Sequence, residues 1–338
     1  MHPDLQSQLL EEIVSRYPRK SDAVEEISEI LKIAKDAVYR RLRGDTLLAP
    51  SELSDLARAF NVSLDALIFE QSNTFFFTYN AFSVGAASFE DYLQGFINEL
   101  EMAQQQPLQQ FYYASAELPL FHTLFFPELI SFKLYLWGRT LLDFDYLKEL
   151  KFDFRIIPPD ILRVTERMLR IYIDLPGVEL WSPSVIDHTL NEIEYHISTG
   201  SFQQPKDALM LYDKLEALSH HIQKMARYGK KFPLNADPEG AVGGSFQLFH
   251  NEMVYTNNTA LAGIKEGQVL FTTLGNPNFM RSTDPRICSY MEGWFKRVMN
   301  KSVPISEHNE RDREWFFNRI RKKIAFSRRR MEVELGWE

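Results

Sequence analysis

Three side chains with metal-binding chemistry share one face of a predicted helix. His188, Glu192 and His196 are spaced four residues apart, so they project from one stripe of the helix. Imidazole and carboxylate groups in such a stripe can hold a divalent cation, and His220 or His221 of the next helix is the nearest source of another ligand. The pattern is not the HExxH signature of zinc peptidases. A polar surface stripe explains it more simply, and we predict no bound metal.

The sequence contains no arrangement of residues that is typical of an enzyme. Cys288 lies at the start of a predicted helix, where a thiol pKa can be lowered, but no histidine motif accompanies it. The GxSxG, P-loop and GxGxxG motifs are absent. Glu192 and Glu194 are two residues apart, so they point to different sides of a helix. We therefore predict a buried structural cysteine, no cofactor and no catalytic activity.

Polar side chains on and after a predicted β-meander are candidates for a ligand site. Ligand pockets are mainly apolar and contain a few polar groups that orient the ligand. Asparagine also favours turns for local reasons, which is the alternative explanation. We predict a small-molecule effector site formed by Asn257, Asn258, Thr272, Asn276, Asn278 and Trp294.

A short basic helix is the clearest functional pattern. Residues 34–43 bury Val38 and Leu42 at helical spacing. A helix with a basic, polar and aromatic face fits the major groove of double-stranded DNA, where arginine and lysine meet acceptor groups on the bases. The residues predicted to contact bases are Lys35, Asp36, Tyr39, Arg40 and Arg43. Those predicted to contact the DNA backbone are Lys32, Arg41 and Thr46.

Within residues 1–71, which are acidic overall, the positive charge is gathered on this helix. Residues 32–43 contain five basic side chains and one acid, whereas the whole chain has a net charge of −8. Proteins that coat DNA without sequence preference neutralise many phosphates and are basic overall. The charge pattern therefore predicts a local recognition surface, used by a homodimer on a two-fold operator.

Residues 20–70 resemble the helix-turn-helix domain of the phage-repressor class, the XRE family. The resemblance rests on two short helices with a tight break at Lys32, a third helix opened by Pro50, and a last short helix capped by Ser63. It implies that residues 24–31 form the supporting helix and residues 34–43 the recognition helix. The sequence departs from the family at Ser28, at Lys32 in place of the turn glycine, and at Ala34 in place of a capping serine or threonine. These departures predict a looser turn.

Beyond residue 70 the sequence changes character twice. Residues 71–87 predict a linker or a strand that pairs into the next domain, and we favour the strand. Helical periodicity dominates residues 88–232, with at most two or three short strands. Residues 233–244 contain two prolines and three glycines and mark a boundary. Residues 245–338 then predict an α+β region.

The predicted α+β region contains three strands and two helices. The strands are expected at residues 246–255, 259–264 and 269–274, with a turn at 265–268. The second helix is expected to run from Glu307 to about Arg330, with Ser306 as its N-cap. The fold class is thus mainly α with an α+β C-terminal part. It combines an N-terminal helix-turn-helix bundle of four or five helices, a helical middle region, and a small antiparallel meander with two C-terminal helices.

Composition limits the cellular location and the partners that the sequence predicts. A chain of 338 residues with one cysteine, no apolar signal region and no long uncharged apolar run is expected to be cytoplasmic, with no membrane partner.

Residues 319–330 contain seven basic residues, which predict a solvated helix face or, alternatively, an auxiliary DNA or dimer contact.

The sequence therefore predicts a DNA-binding transcriptional regulator with a dimerising, effector-sensing C-terminal region. Three alternatives stay open at this point. They are an enzyme with a regulatory DNA-binding head, an antitoxin or phage-type repressor whose large domain binds a protein, and an interaction module that binds no DNA.

Overall fold

The computed structural model describes residues 4–60, 62–68, 74–80, 88–105, 110–253, 256–264, 267–275 and 278–336. The chain divides into two compact units, Met1–Phe76 and Phe77–Glu338. The first unit is helical, and the second combines helices with a mixed β-sheet. This agrees with the predicted fold class of mainly α structure with an α+β part.

Five helices make up the described part of the first unit. They are α1 (Leu5–Ser15), α2 (Lys20–Leu31), α3 (Lys35–Leu42), α4 (Pro50–Ala59) and α5 (Leu64–Ile68). Their apolar stripes form one core, because residues three and four apart on each helix face the same side. The fully buried members are Leu9, Ile13, Val24, Ile27, Val38 and Leu56.

The turn between α2 and α3 is held by a side chain. Lys32 ends α2 in the left-handed conformation, with φ of 54°. This conformation costs a non-glycine residue about 1–2 kcal/mol. The Ser28 hydroxyl donates to the carbonyl of Ile33 at 2.6 Å, and the Ile33 amide donates to the carbonyl of Ser28 at 3.2 Å. The departure at Ser28 thus supplies a hydrogen bond that closes the turn predicted to be loose.

The second unit is built on one eight-stranded sheet. In chain order its strands are β1 (Thr78–Asn80), β2 (Gln110–Ala114), β3 (Gly177–Trp181), β4 (Phe246–His250), β5 (Thr259–Ile264), β6 (Gly267–Thr273), β7 (Phe279–Ser282) and β8 (Val303–Pro304). Their spatial order is β1-β7-β6-β5-β2-β3-β4-β8. Strands β2, β3 and β4 are parallel, and the other pairs are antiparallel.

The helices of this unit connect and cover the strands. They are α6 (Phe89–Gln105), α7 (Leu120–Thr123), α8 (Pro127–Thr140), α9 (Asp145–Lys148), the 3-10 turn η1 (Phe154–Ile156), α10 (Pro159–Asp174), α11 (Asp187–Ser198), α12 (Lys206–Tyr228), α13 (Pro285–Met299) and α14 (Glu310–Glu334). Proline occupies the first turn of α8, α10 and α13, where its missing N–H has no helical partner to lose.

The two faces of the sheet carry different helices. On β3, Leu180 belongs to a small apolar cluster that includes Phe295 of α13. Its neighbour Trp181 belongs to a larger core that includes residues of α8, α10, α12 and α14. Side chains alternate between faces along a strand, so both faces of β3 are buried. A helical layer of unequal size therefore covers each side.

The structure corrects the prediction of a separate C-terminal meander. Strand β4 pairs in parallel with β3 of the middle region, and β5 pairs with β2. Residues 77–338 are consequently one compact unit, and the boundary predicted at 233–244 does not divide it. Local periodicity identifies a strand but not its partner, which explains the error. Ser306 is also not the N-cap of the last helix: α14 begins at Glu310, and the Ser306 hydroxyl accepts from the amide of Leu248 instead.

Strand β1 lies within residues 71–87, the predicted linker or strand. Residues 78–80 of the segment predicted to pair as a strand form β1, which pairs with β7. The predicted turn at 265–268 and the predicted end of the strand at Tyr255 include residues outside the described parts of the chain. Among the described helices, none has the length and apolar character needed to cross a lipid bilayer.

Candidate functional site

The predicted base-contacting face lies on the exposed side of α3. Val38 faces the core of the first unit, and Asp36, Arg40 and Arg43 are exposed. Tyr39 is half-buried against the same core, which fixes the direction of its ring. Among the described residues, no side chain bonds the Arg40 guanidinium or the Lys32 ammonium. Within the described structure, these two cations can therefore bind a ligand without first releasing a carboxylate.

Two other cations of the face are held by acids of the same unit. Lys35 Nζ donates to Glu25 Oε1 at 2.6 Å, which raises the pKa of Lys35. Arg43 Nε donates to Asp45 Oδ2 at 2.8 Å. All four side chains are at least half exposed, and exposed ion pairs contribute only about 0–1 kcal/mol. A phosphate group could therefore replace either carboxylate.

Arg41, a predicted contact to the DNA backbone, is paired within the first unit. Its guanidinium donates to both carboxylate oxygens of Glu52 on α4, at 2.8 and 3.3 Å. The two side chains are only 14% and 19% exposed. Burial raises the pKa of Glu52, but hydrogen bonds from the Ala49 amide and from Arg41 outweigh it, and the net pKa is lowered. Arg41 therefore ties α3 to α4 and does not extend the exposed face.

A residue that sequence reasoning missed holds the segment after α3. Gln6 of α1 is buried, and its side-chain amide donates to the carbonyls of Arg41 and Thr46 at 2.8 and 3.0 Å. Its carbonyl accepts from the amide of Leu48 at 2.6 Å. The side chain of Thr46, a predicted backbone contact, stays exposed. The only signal in the sequence was a glutamine beside the apolar stripe of α1.

The residues predicted to form an effector site use their polar groups within the fold. Asn258 accepts from Ser115 and from the Ala116 amide, and donates to Glu117 at 3.0 Å. Thr272 shares a hydrogen bond of 3.1 Å with Thr259 across the β5–β6 pair. Trp294 packs against Phe295 in the cluster under α13.

The other members of that predicted set are Asn257, Asn276 and Asn278. Asn257 is exposed, and its carbonyl accepts from Thr256. The backbone of Asn278 closes a turn to Gly275, and Asn276 lies outside the described residues. The described contacts thus favour a structural role for Asn258, Thr272 and Asn278.

The histidine stripe of α11 instead borders a cleft between α8 and α11. The cleft has a volume of about 470 Å³ and is lined by Leu136, Trp137, Thr140, Leu141, His188, Asn191, Glu192, Tyr195 and His196. Its exposed lining is mainly apolar. Sites that bind small molecules have volumes of about 300–1,000 Å³ and mostly apolar walls.

Two residues of the cleft lining, His188 and Glu192, belong to a compensated charge cluster. Lys133 Nζ donates to Glu192 at 3.1 Å and to Glu117 at 3.3 Å. His188 lies 3.2 Å from Glu192, and this hydrogen bond raises the pKa of His188. Burial alone would raise the pKa of Glu192, but His188 and Lys133 outweigh it and lower that pKa. Each buried charge of the cluster therefore has a partner.

His196, the third residue of the stripe, lies apart from this cluster. It is 8% exposed, and its ring meets Phe132, Tyr135 and Tyr195. Burial, with a smaller effect of Arg139, lowers its pKa to about 4, so the imidazole is neutral at pH 7. Its buried Nδ1 has no hydrogen-bond partner in the described structure. Within the described residues, no group of three potential ligands is arranged to hold a metal ion.

A second polar cluster is sealed inside the larger core. Glu179 of β3 accepts from Tyr172 at 2.6 Å and from Trp181 at 3.0 Å, and pairs with His122 at 2.9 Å. Burial alone would raise the pKa of Glu179, but His122 and Lys231 outweigh it and lower that pKa. Because all these side chains are buried, no substrate can reach them, and we assign the cluster to structure.

Cys288 and the basic residues of α14 also have structural partners. The Cys288 thiol is buried, as predicted, and burial raises its pKa to about 11, which opposes reactivity. Arg319 pairs with Glu252, and Lys323 pairs with Asp187, both at 2.7 Å. Arg328 and Arg330 likewise pair with carboxylates. These pairs agree with the solvated helix face.

Comparison with known proteins identified no relative of this chain. No known protein family matches the chain, and no similar characterised protein or solved structure was found. Inferences about function therefore rest on the exposed face of α3 and on the other exposed surfaces that the structure describes.

Proposed function

We propose that this protein is a sequence-specific transcriptional regulator that binds double-stranded DNA through α3. In this proposal α2 and α3 form a helix-turn-helix, and α3 enters the major groove. The observation that carries it is the exposed, basic and partly aromatic face of α3, which is held on a small helical core by Val38 and by the Arg41–Glu52 pair. Such a helix meets the dimensions and acceptor pattern of the major groove.

The residues of the face take different roles in this proposal. Arg40 and the half-buried Tyr39 contact bases, because Arg40 has no side-chain partner among the described residues and packing directs Tyr39. Lys35 and Arg43 reach DNA by exchanging Glu25 and Asp45 for DNA acceptors. Asp36 sits in the first turn of α3 and is placed to accept from a cytosine amino group. Lys32 and Thr46 lie at either end and contact the backbone.

The first test is selection of bound fragments from a genomic DNA library with the full chain. We expect enrichment of a short sequence that contains two related half-sites, because a net charge of −8 does not support indiscriminate binding. Recovery of fragments without a shared sequence, or of none, would reject the proposal. In that case the exposed face of α3 would be assigned to protein contacts.

The second test assigns base reading to individual side chains. We expect Arg40→Ala and Tyr39→Ala each to lose about 1–3 kcal/mol of discrimination at particular base pairs of the selected site. Binding is titrated against single-base variants of that site, with the exposed Arg58→Ala on α4 as the control. An equal loss on every variant would reassign the residue to phosphate contact.

A further inference from the structure

We propose that the exposed face of α14 binds an acidic amphipathic helix of a partner protein. This face carries a line of apolar side chains between cations, on the side of α14 that does not pack into the larger core. Such binding is separate from the proposed DNA binding and does not depend on it. The ion pairs of α14 give its basic residues a structural role, but they do not explain the apolar side chains exposed among them.

Three large apolar side chains point in one direction along the outside of α14. Trp315, Phe326 and Val333 are 44%, 70% and 53% exposed, and they are 11 and 7 residues apart. Successive residues of a helix differ by about 100°, so these spacings return to within about 20° of the same direction. The three residues, called the apolar line below, extend for about 27 Å along the helix. This is the geometry of a stripe that contacts a second helix.

The apolar line lies on the side of α14 away from the core. Phe316, Ile320 and Ile324, on the other side of the helix, are buried. A surface helix of a folded protein normally has one apolar stripe and a polar outer face. Single exposed apolar residues are common, but several that share one direction indicate an interaction surface.

Trp315 is held in position before a partner binds. The centre of its ring lies 5.3 Å from that of His250 and 5.2 Å from the Arg319 guanidinium. These contacts restrict the indole, so binding has less side-chain freedom to remove. Tryptophan and arginine are also enriched among the residues that dominate interface affinity. Trp315 is therefore suited to anchor a partner.

The charges beside the apolar line favour an acidic partner. Arg319, Lys322 and Arg329 are exposed and lie within about 40° of the line. Residues 315–333 contain a single acid, which is paired with an arginine of α14. The Arg319–Glu252 pair is about half exposed, so a partner carboxylate can replace Glu252 at a cost of about 0–1 kcal/mol. Charges that flank an apolar seam determine which helices pair.

Two other occupants fit this face less well. A second copy of α14 would bring Arg319, Lys322 and Arg329 close to the same cations of its partner, and like charges between paired helices are unfavourable. A lipid bilayer is contacted by a broad apolar face, whereas this face offers a line one residue wide between cations. We therefore assign the face to a helix with an apolar stripe and acidic flanks.

The first test uses two synthetic peptides of three heptads, each about 30 Å long as a helix. Both carry leucine at positions a and d, and either glutamate or lysine at positions e and g. The full chain, without DNA, is titrated into the labelled peptide and fluorescence anisotropy is measured. We expect the glutamate peptide to bind and the lysine peptide to bind at least about tenfold more weakly. No binding of the glutamate peptide, or equal binding of the two, would overturn the proposal.

A matched pair of variants places the peptide on the apolar line. Phe326→Ala removes an exposed ring from α14, and Tyr290→Ala removes a similarly exposed ring from α13, on the other face of the sheet. We expect Phe326→Ala to weaken binding of the glutamate peptide at least about fivefold and Tyr290→Ala to leave it unchanged. Equal effects of the two substitutions would place the peptide elsewhere and reject the proposal.

A second pair of variants tests the cations. Lys322→Glu reverses an exposed charge beside the apolar line, and Lys151→Glu makes the same change in net charge at an exposed position outside α14. We expect Lys322→Glu to weaken binding of the glutamate peptide and to strengthen binding of the lysine peptide, each by at least about threefold. Lys151→Glu should change neither. The same response in both variants would show a general charge effect and contradict the role of the cations.

Two further measurements separate the other occupants. Ultracentrifugation of Phe326→Ala should find the oligomeric state of the wild type. Co-sedimentation with vesicles of phosphatidylcholine and phosphatidylglycerol in equal parts should find no bound protein. A smaller oligomer in Phe326→Ala would assign the face to a second copy of the chain, and vesicle binding that Phe326→Ala abolishes would assign it to a membrane. Either result would overturn the proposal.

Discussion

At the scale of single residues, the cations on the exposed face of α3 differ in whether they already have partners. Exposed pairs such as Lys35–Glu25 are weak, and a phosphate competes with the carboxylate for the same ammonium group. Lys32 and Arg40 have no such competitor in the described structure. If α3 binds DNA as proposed, we therefore expect the acids beside it to lower the affinity for DNA.

Removing one of these acids should strengthen DNA binding. We expect Glu25→Gln to raise affinity for the selected DNA site by roughly threefold to tenfold, because Lys35 is released and a charge that repels phosphate is lost. The measurement is a titration at several salt concentrations, and the salt dependence should steepen. The control is Glu11→Gln, an exposed acid on α1. An equal gain in the control would show a general charge effect and not release of Lys35.

At the scale of elements, α3 is positioned by contacts with its neighbours on the chain and by a distant residue. Arg41 joins it to the first turn of α4, where Glu52 also caps the Ala49 amide at 2.8 Å. Gln6 fastens the segment that follows α3 to α1. Tyr39 and Val38 complete the attachment through the core.

The Arg41–Glu52 pair should contribute stability and little to DNA contact. We expect Arg41→Ala to lower the free energy of unfolding by about 1 kcal/mol, because the pair is partly buried and bidentate. Urea unfolding of Arg41→Ala, Glu52→Ala and the double variant should give a favourable coupling energy. The salt dependence of DNA binding by Arg41→Ala should match that of the wild type. A shallower slope would restore Arg41 to the DNA backbone.

Stability of the second unit should depend on pH through His221 of α12. This ring contacts Phe125 and donates to the carbonyl of Phe232 at 3.0 Å. Burial lowers its pKa to about 4, from an ordinary value near 6.5. Between these values the unfolded chain binds more protons than the folded one, so stability falls as the pH decreases from 6.5 towards 4.

The corresponding experiment compares two adjacent histidines. We expect the urea midpoint of the wild type to fall between pH 7 and pH 4.5, and His221→Gln to reduce that fall. His220→Gln alters an exposed neighbour on the same helix and serves as the control. An unchanged pH dependence in His221→Gln would assign the acid sensitivity to other groups, such as His196 or Glu179.

At the scale of the whole molecule, a single acidic chain with one basic helix is expected to bind DNA weakly. We predict that the second unit holds two copies together, with their α3 helices about 34 Å apart, one turn of B-DNA. Analytical ultracentrifugation should find a dimer both free and on the selected site. Half-sites moved by five base pairs should lose affinity, since they then face opposite sides of the duplex. A monomer in both states would contradict the prediction.

The sequence alone determined the local structure of this protein. Apolar spacing located the helices of residues 20–68, and Ser63 accepts a hydrogen bond at the start of α5 as expected of a cap. Strands β5 and β6 were also located within a few residues. Such features depend on neighbours within a few positions, which the sequence shows directly.

Only the tertiary structure decided which of these elements meet. The parallel pairing of β4 with β3 merged two predicted regions, because strand periodicity does not specify a partner. Lys133 and Glu192 are 59 positions apart, and Gln6 and Leu48 are 42 apart. The carboxylates that neutralise Lys35 and Arg41 likewise come from other helices. The cleft beside His196 exists only because α8 packs near α11, and such contacts between faces depend on the packing of the whole chain.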